Sequence, residues 1–197
     1  MCAGVLNGRT GILLGFVPLI VYGLLAGKTV QSIVLALGAA TAVTVITGYS
    51  DLRKGMILVW ATLVLFGIAF VAVAVMGLIA IIPWMGVIIY AVLALVAFGS
   101  ILIKVPFTLQ YARQMADRSL WEMPGFIRVN RLMTGVWGMV FTVNLVLSYC
   151  GVIMPGSPGS MASLLTYFVL IAGIVFTIWY PGYVQKKYAP AMMRGTP

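Results

Sequence analysis

The densest group of basic side chains in the chain lies between residues 104 and 131. It consists of Lys104, Arg113, Arg118, Arg128 and Arg131, with Trp121 among them. Lysine and arginine recognise phosphate and carboxylate groups, and arginine also stacks on aromatic rings. These six residues are therefore the candidate binding site of the sequence. Its ligand depends on whether the surrounding chain belongs to a soluble domain, a nucleic-acid-binding domain or a membrane.

The composition is that of a membrane protein. Hydrophobic residues make up 63% and charged residues 8% of the 197 residues, against roughly 45–50% and about 25% in soluble domains. A globule of this size has no interior large enough for so much apolar surface, so lipid must cover part of it. In a membrane protein the net charge of +9 usually reports orientation, and the basic group at 104–131 is either topogenic charge beneath the headgroups or a site for anionic lipid. The predicted partners are membrane lipids, with other membrane proteins or self-association. The charge does not predict nucleic acid, because no basic soluble domain is present to hold a strand.

No constellation of residues points to catalysis. The chain has no histidine and only three acidic residues, Asp51, Asp117 and Glu122. We find no nucleophile with a neighbouring base, no metal-ligand set and no glycine loop that would cradle phosphate. Cys2 and Cys150 are too far apart in the expected topology for a disulfide. The sequence therefore predicts a protein that is not an enzyme and uses no cofactor or metal.

Apolar runs long enough to cross a membrane predict an all-α, polytopic transmembrane bundle that forms one domain over residues 1–197. A span needs about 20 apolar residues, and the spans fall at 10–27, 30–48, 56–79, 83–103, 132–153 and 161–181. Gly77, Pro83 and Trp84 divide the long run 56–103, and a very short turn at 27–29 separates the first two spans. We expect the first span to be retained rather than cleaved as a signal peptide.

The basic residues predict how this bundle is oriented. With six spans, eleven of the twelve lysines and arginines lie on the side of the N terminus, and only Lys28 lies on the other. Cytoplasmic loops retain Lys and Arg, so both termini are predicted to be cytoplasmic. The three acidic residues fall on the same side, which leaves the spans without a carboxylate for ion coupling.

The connection 104–131 between spans four and five is predicted to contain one interfacial amphipathic helix, over 107–121. Its apolar face includes Phe107 and Tyr111, and its polar face includes Gln110, Arg113 and Gln114. Trp121 is expected to anchor the helix at the headgroups. Pro124 with Gly125 is expected to break the helix before the fifth span.

Three features inside the spans have both structural and functional interpretations. Asn144, midway along the fifth span, predicts a hydrogen bond to another helix, with a substrate or lipid contact as the alternative. Pro18 predicts a bend that either fits neighbouring helices or frames a cavity. Glycines four residues apart favour close packing within the bundle or between copies. The candidate partners of Asn144 are Thr41, Thr44, Thr62 and Thr177, and the glycine pairs are Gly4/Gly8, Gly11/Gly15 and Gly23/Gly27.

Several short motifs resemble the intracellular septation protein A family of bacterial inner-membrane proteins. They are "FVPLIVYGLL" in the first span, "IKVPF" at the end of the fourth, and "NRLMTGVWGMVFTVNLVLSY" at the fifth. Pro18, Pro106, Asn130 and Trp137 are the positions that match. The resemblance implies a non-enzymatic protein of the inner membrane that acts through partners in septation and envelope maintenance. The alternatives are a small-molecule or lipid transporter and an accessory subunit of a larger membrane complex.

Overall fold

The computed structural model describes residues 15–114, 116–154 and 159–193, and in the last of these ranges it describes the side chains of 164–184. The described chain is helical, without strands, which confirms the all-α prediction. The helices are α1 (Val17–Leu25), α2 (Val30–Arg53), α3 (Ile57–Phe70), α4 (Met85–Leu102), α5 (Phe107–Arg113), α6 (Pro124–Ile153) and α7 (Gly159–Met193). A π-helical turn, Val71–Val75, extends α3, and 3-10 helices cover Ile79–Trp84 and Arg118–Leu120.

Five helices are long and apolar enough to cross a membrane. They are Val30–Arg53, Ile57–Val75, Ile79–Leu102, Pro124–Ile153 and Leu164–Val184. Large apolar side chains are exposed along all of them, which a soluble protein would not tolerate at this density. The fold is therefore that of a multi-pass helical membrane protein. The first predicted span, 10–27, is described only from residue 15, where it contains the nine-residue helix α1.

The two predicted breaks between helices are confirmed, one before α2 and one between α3 and α4. At the first, Thr29 caps α2, and its hydroxyl accepts a hydrogen bond from the backbone N–H of Ser32 at 3.2 Å. At the second, Gly77 has φ +66°, a left-handed conformation that glycine adopts without steric cost, and Pro83 lies in the following 3-10 helix. The ring of Trp84 then approaches that of Tyr149 on α6, with centroids 6.3 Å apart.

Glycines bring the long helices together, but they are not the ones that the spacing singled out. A Cβ at Gly138 of α6 would lie 2.8 Å from the ring of Phe98 on α4. A Cβ at Gly48 of α2 would lie 2.7 Å from a methyl group of Val59 on α3. These contacts show where helix backbones approach most closely. Of the predicted pairs, Gly23 and Gly27 are both exposed, and Gly4, Gly8 and Gly11 lie outside the described residues.

Two local predictions differ from the structure, and a third is not tested. Pro18 lies in the first turn of the described α1, and residues 10–14 of the predicted span lie outside the described residues, so a bend at Pro18 stays a prediction. Pro124 starts α6 instead of ending the preceding helix. The helix predicted over 107–121 ends at Arg113, and Asp117 already has an extended backbone.

Candidate functional site

Helix α5 is docked under the turn between α2 and α3. The Gln110 side-chain oxygen accepts a hydrogen bond from the backbone N–H of Ile57 at 3.0 Å. The Gln114 oxygen accepts one from the Lys54 ammonium at 2.7 Å, and its amide nitrogen lies 3.2 Å from the sulfur of Met56. The two glutamines of the predicted polar face therefore bind the turn between α2 and α3 and do not face water or headgroups. The contact also places the α2–α3 turn and the 104–131 connection at the same end of the molecule.

The opposite side of α5 is bound to α4 and α6. The Thr108 hydroxyl lies 2.7 Å from the backbone oxygen of Asn130 and 2.7 Å from the hydroxyl of Thr134. Because Thr108 has one hydroxyl proton and a carbonyl oxygen only accepts, Thr108 donates to Asn130 and Thr134 donates to Thr108. The backbone N–H of Phe107 donates to the Ser100 hydroxyl at 3.2 Å. The helix is thus held by hydrogen bonds on two sides and does not lie free on a membrane surface.

Burial explains why the predicted division of this segment into one apolar and one polar face is wrong. Phe107, Thr108, Leu109 and Tyr111 are all at most 2% exposed, so apolar and polar positions of α5 are buried together. A wheel assumes one solvent-facing side, and here neighbouring helices surround most of the short helix. The signal that the sequence did contain is the presence of Gln110 and Thr108, whose side chains can satisfy backbone groups of other helices.

Tyr111 is a buried tyrosine of α5 whose surroundings favour the neutral form of its hydroxyl. Its hydroxyl is buried without a hydrogen-bond partner among the described residues. Burial raises the pKa of Tyr111 far above its usual value, and the negative charge of Asp51 raises it further. The ring therefore stays neutral throughout the physiological range.

Lys104 occupies the turn that leads from α4 into this site. It has φ +62°, the left-handed region. The backbone N–H of Lys104 donates to Ile101 at 3.1 Å, and that of Val105 donates to Ser100 at 2.9 Å, which is a Schellman C-cap. Gly55 has the equivalent conformation, φ +71°, at the end of α2. A lysine at this position costs conformational energy but places a positive charge at a helix C terminus.

Arg113, Arg118 and Trp121 form one cluster, hereafter the arginine–tryptophan cluster. The guanidinium carbons of Arg113 and Arg118 lie 5.7 and 5.9 Å from the centroid of the Trp121 ring. The indole N–H donates to the backbone oxygen of Ala116 at 3.0 Å, which fixes the ring. Cation–π contacts of this kind orient both arginines without neutralising them. Arg118 is exposed, whereas Arg113 and Trp121 are half-buried.

The other predicted basic residues lie outside this cluster. Arg128 and Arg131 are exposed in the first turns of α6, and Lys104 is exposed in its turn. Within the described ranges no hydrogen bond or cation–π contact joins these three side chains to the Arg113–Trp121–Arg118 group. The structure therefore divides the predicted site into the cluster, the basic start of α6 and the α4 turn.

Asn144 is fully buried, as predicted, but it does not bond to another helix in the described part of the chain. Its amide nitrogen donates to the backbone oxygen of Val140 in its own helix at 3.0 Å, and its side-chain oxygen has no partner there. The four threonines expected to meet it each donate to a carbonyl four residues earlier in their own helices. Such bonds compete with interhelical ones.

The interhelical hydrogen bond that sequence reasoning missed involves Trp137. Its indole N–H donates to the hydroxyl of Thr177 on α7 at 2.9 Å, and both side chains are buried. Phe16, just before α1, stacks on the same indole with ring centroids 4.4 Å apart. Trp137 thus connects three parts of the bundle.

A small polar cavity lies between α1, α2 and α3. Thr44, Thr62, Asp51 and Pro18 are among the residues that line it, and its volume is about 10 Å³. That volume suits a single water molecule. Pro18 therefore borders a cavity, as one of its interpretations predicted.

The fold and these sites define a multi-pass helical membrane protein with a positively charged cluster at one end. Comparison with known protein families, with curated proteins and with solved structures found no match to this chain. The particular function is therefore inferred from the site.

Proposed function

We propose that this protein is a non-enzymatic scaffold of the bacterial inner membrane that binds a protein partner through its arginine–tryptophan cluster. In this proposal the bundle has six spans, with 10–27 as the first, and both termini are cytoplasmic. The observation that carries it is the pair of guanidinium groups held 5.7 and 5.9 Å from one tryptophan ring. Tryptophan and arginine dominate the binding energy of protein interfaces.

The way in which α5 is held supports a role in recognition. Hydrogen bonds join this helix to the α2–α3 turn at Gln110 and to α6 at Thr108. Arg113 of the cluster is the last residue of α5, and the indole N–H of Trp121 is bonded to the backbone oxygen of Ala116. Preorganised side chains lose less conformational entropy on binding, so the same contacts give higher affinity.

The role in envelope or septum maintenance rests on the resemblance of the sequence motifs. Pro18, Pro106, Asn130 and Trp137, which carry that resemblance, are all buried. Trp137 also joins elements of the fold through its side chain, which donates to Thr177. Asn130 contributes its backbone oxygen to the bond from Thr108, so the constraint on residue type is clearest at Trp137, which supports its use as a marker of a shared architecture.

The test is a pair of substitutions, Arg118→Glu and Trp121→Ala, with Arg53→Glu as the matched control for the exposed arginine. Arg53 is an exposed arginine that also lies against an aromatic ring, that of Tyr49. Complexes are extracted from membranes in mild detergent and their native masses measured, and cell length and septum placement are scored in a strain that lacks the protein. We expect both cluster variants to lose the partner and the rescue of division, and the control to retain them.

Equal rescue and equal complex mass for all three variants would contradict the proposal. Deleting 107–121 is a poorer experiment, because it removes the buried Phe107 and Tyr111 and would unfold the bundle. The native mass also distinguishes an accessory subunit, which would purify at fixed stoichiometry within one larger complex.

The transporter alternative is supported by one observation, the buried side-chain oxygen of Asn144, which has no hydrogen-bond partner among the described residues. A buried acceptor of this kind can bind a donor group of a substrate. Substrate-dependent flux in proteoliposomes that Asn144→Leu reduces would favour transport. Wild-type flux no greater than that of empty liposomes, across a broad panel of substrates, would rule it out.

A further inference from the structure

An open apolar groove runs along the outside of the bundle between α4, α6 and α7. Its volume is about 570 Å³. Leu132, Gly135, Met139 and Val143 of α6 form its floor, and Phe98 of α4 and Val169 of α7 border it. Gly135 leaves room in the floor, because a Cβ there would meet only a methyl group of Ile101 at 4.0 Å.

The length of the groove matches one leaflet of a bilayer. Leu132 and Val143 are eleven residues apart, which is about 16 Å along a helix. One leaflet contributes about 15 Å of hydrocarbon, half of the full thickness. The groove thus extends from the basic end of α6 to about the middle of the bilayer, the depth that one acyl chain reaches.

Two arginines lie at the end of the groove where α6 begins. Arg128 precedes Leu132 by four residues and so lies on the same side of the helix as the groove floor, and Arg131 follows Arg128 by three residues, a spacing that places the two side chains next to each other. Both arginines are exposed. A positive charge directly beyond the end of a leaflet-deep apolar channel is complementary to a molecule with an anionic head and a hydrocarbon tail.

We propose that this groove, together with Arg128 and Arg131, binds one anionic phospholipid of the leaflet on the side of these two arginines. One acyl chain lies along Gly135 and Met139, and the phosphate lies between the two guanidinium groups. The site goes beyond the proposed scaffold function, because it uses another face of the molecule and none of the cluster residues. Its success or failure is therefore independent of partner binding.

A second copy of this chain fits the groove less well. In a symmetric dimer about the membrane normal, Arg128 of each copy would face its equivalent across the interface. Like charges placed together in this way oppose association. An anionic lipid neutralises the same arginines, so the charge at the mouth favours lipid over a homodimer.

The experiment is native mass spectrometry of the delipidated full-length protein with added phosphatidylglycerol or phosphatidylcholine. We expect one tightly retained phosphatidylglycerol per chain and weaker retention of phosphatidylcholine. Each arginine near a headgroup contributes about a fivefold change in affinity. Arg128→Gln with Arg131→Gln should then weaken retention about twentyfold, whereas Arg53→Gln, an exposed arginine on α2, should leave it unchanged.

A second variant tests the groove itself. Gly135→Leu fills the floor, and Gly151→Leu in the same helix is the matched control, because a Cβ at Gly151 meets no atom within 4 Å. We expect Gly135→Leu to abolish selective retention and Gly151→Leu to preserve it. The proposal would be overturned if the wild type retained the two lipids equally. It would also be overturned if neither the arginine pair variant nor Gly135→Leu lost phosphatidylglycerol retention. A dimer of the wild type that Gly135→Leu dissociates would likewise overturn it. Melting temperatures in the same detergent show which variants fold. If no variant folds, the selectivity of the wild type for phosphatidylglycerol over phosphatidylcholine tests the proposal.

Discussion

The hydroxyl pair Thr108 and Thr134 should contribute measurably to stability, because it joins α5 to α6 in the interior. Both side chains are fully buried, and their oxygens are 2.7 Å apart. Thr108→Val removes one net hydrogen bond, worth about 1 kcal/mol. The loss is limited because Thr134 can turn to the backbone oxygen of Asn130, four residues earlier in its own helix. Thr134→Val removes the donor to Thr108 and should cost a similar amount.

The double variant should lose about 2 kcal/mol, the sum of the two single losses. It removes both hydrogen bonds, whereas each single variant keeps one bond to the backbone oxygen of Asn130, so the two losses add. The assay is the free energy of unfolding in detergent, with melting temperature as a second readout at about 2–4 °C for each kcal/mol. Thr47→Val is the control, since Thr47 is exposed and bonds only within its own helix. A double variant no less stable than either single one, or single losses no larger than that of the control, would refute the assigned network.

Three further substitutions test the geometry of the bundle. Lys104→Gly should raise the free energy of unfolding by about 0.5–1 kcal/mol, because glycine removes the left-handed strain at φ +62° at a smaller entropic cost. Tyr111→Phe should leave stability at pH 7 unchanged or slightly higher, since it removes a hydroxyl without a described partner. The wild type should lose stability as the pH rises above about 10, because the unfolded tyrosine ionises there and the buried one does not; Tyr111→Phe should reduce that loss. Gly138→Ala should cost about 1–3 kcal/mol by forcing the ring of Phe98 to move, whereas Gly99→Ala, with no atom within 4 Å, should not.

Chemical denaturation measures the first and third of these, and a pH series of melting temperatures measures the second. A loss of stability in Lys104→Gly would contradict the left-handed assignment of this residue. Identical alkaline profiles for wild type and Tyr111→Phe would show that this hydroxyl is accessible to water. Equal effects at Gly138 and Gly99 would mean that α4 and α6 are not packed as closely as described.

The apolar runs predicted most of the architecture because the membrane imposes a length on each span. Five described helices match the spans predicted from residue 30 onward, and both short turns fall where Thr29 and Gly77 indicated. The site was predicted less completely. The sequence identified Arg113, Arg118 and Trp121, but their contacts within 6 Å depend on the end of α5, which the helical wheel placed eight residues too late.

The sequence by itself determined the class of protein, since hydrocarbon requires long apolar helices whatever their neighbours are. It also determined where charge is concentrated, because Lys and Arg are excluded from that hydrocarbon. Only the tertiary structure decided which polar groups meet: Gln110 with the turn after α2, Thr108 with α6, and Trp137 with Thr177. Those pairings join residues 22 to 53 positions apart. Local periodicity contains no information on them, because a helical pattern specifies a face but not the helix that covers it.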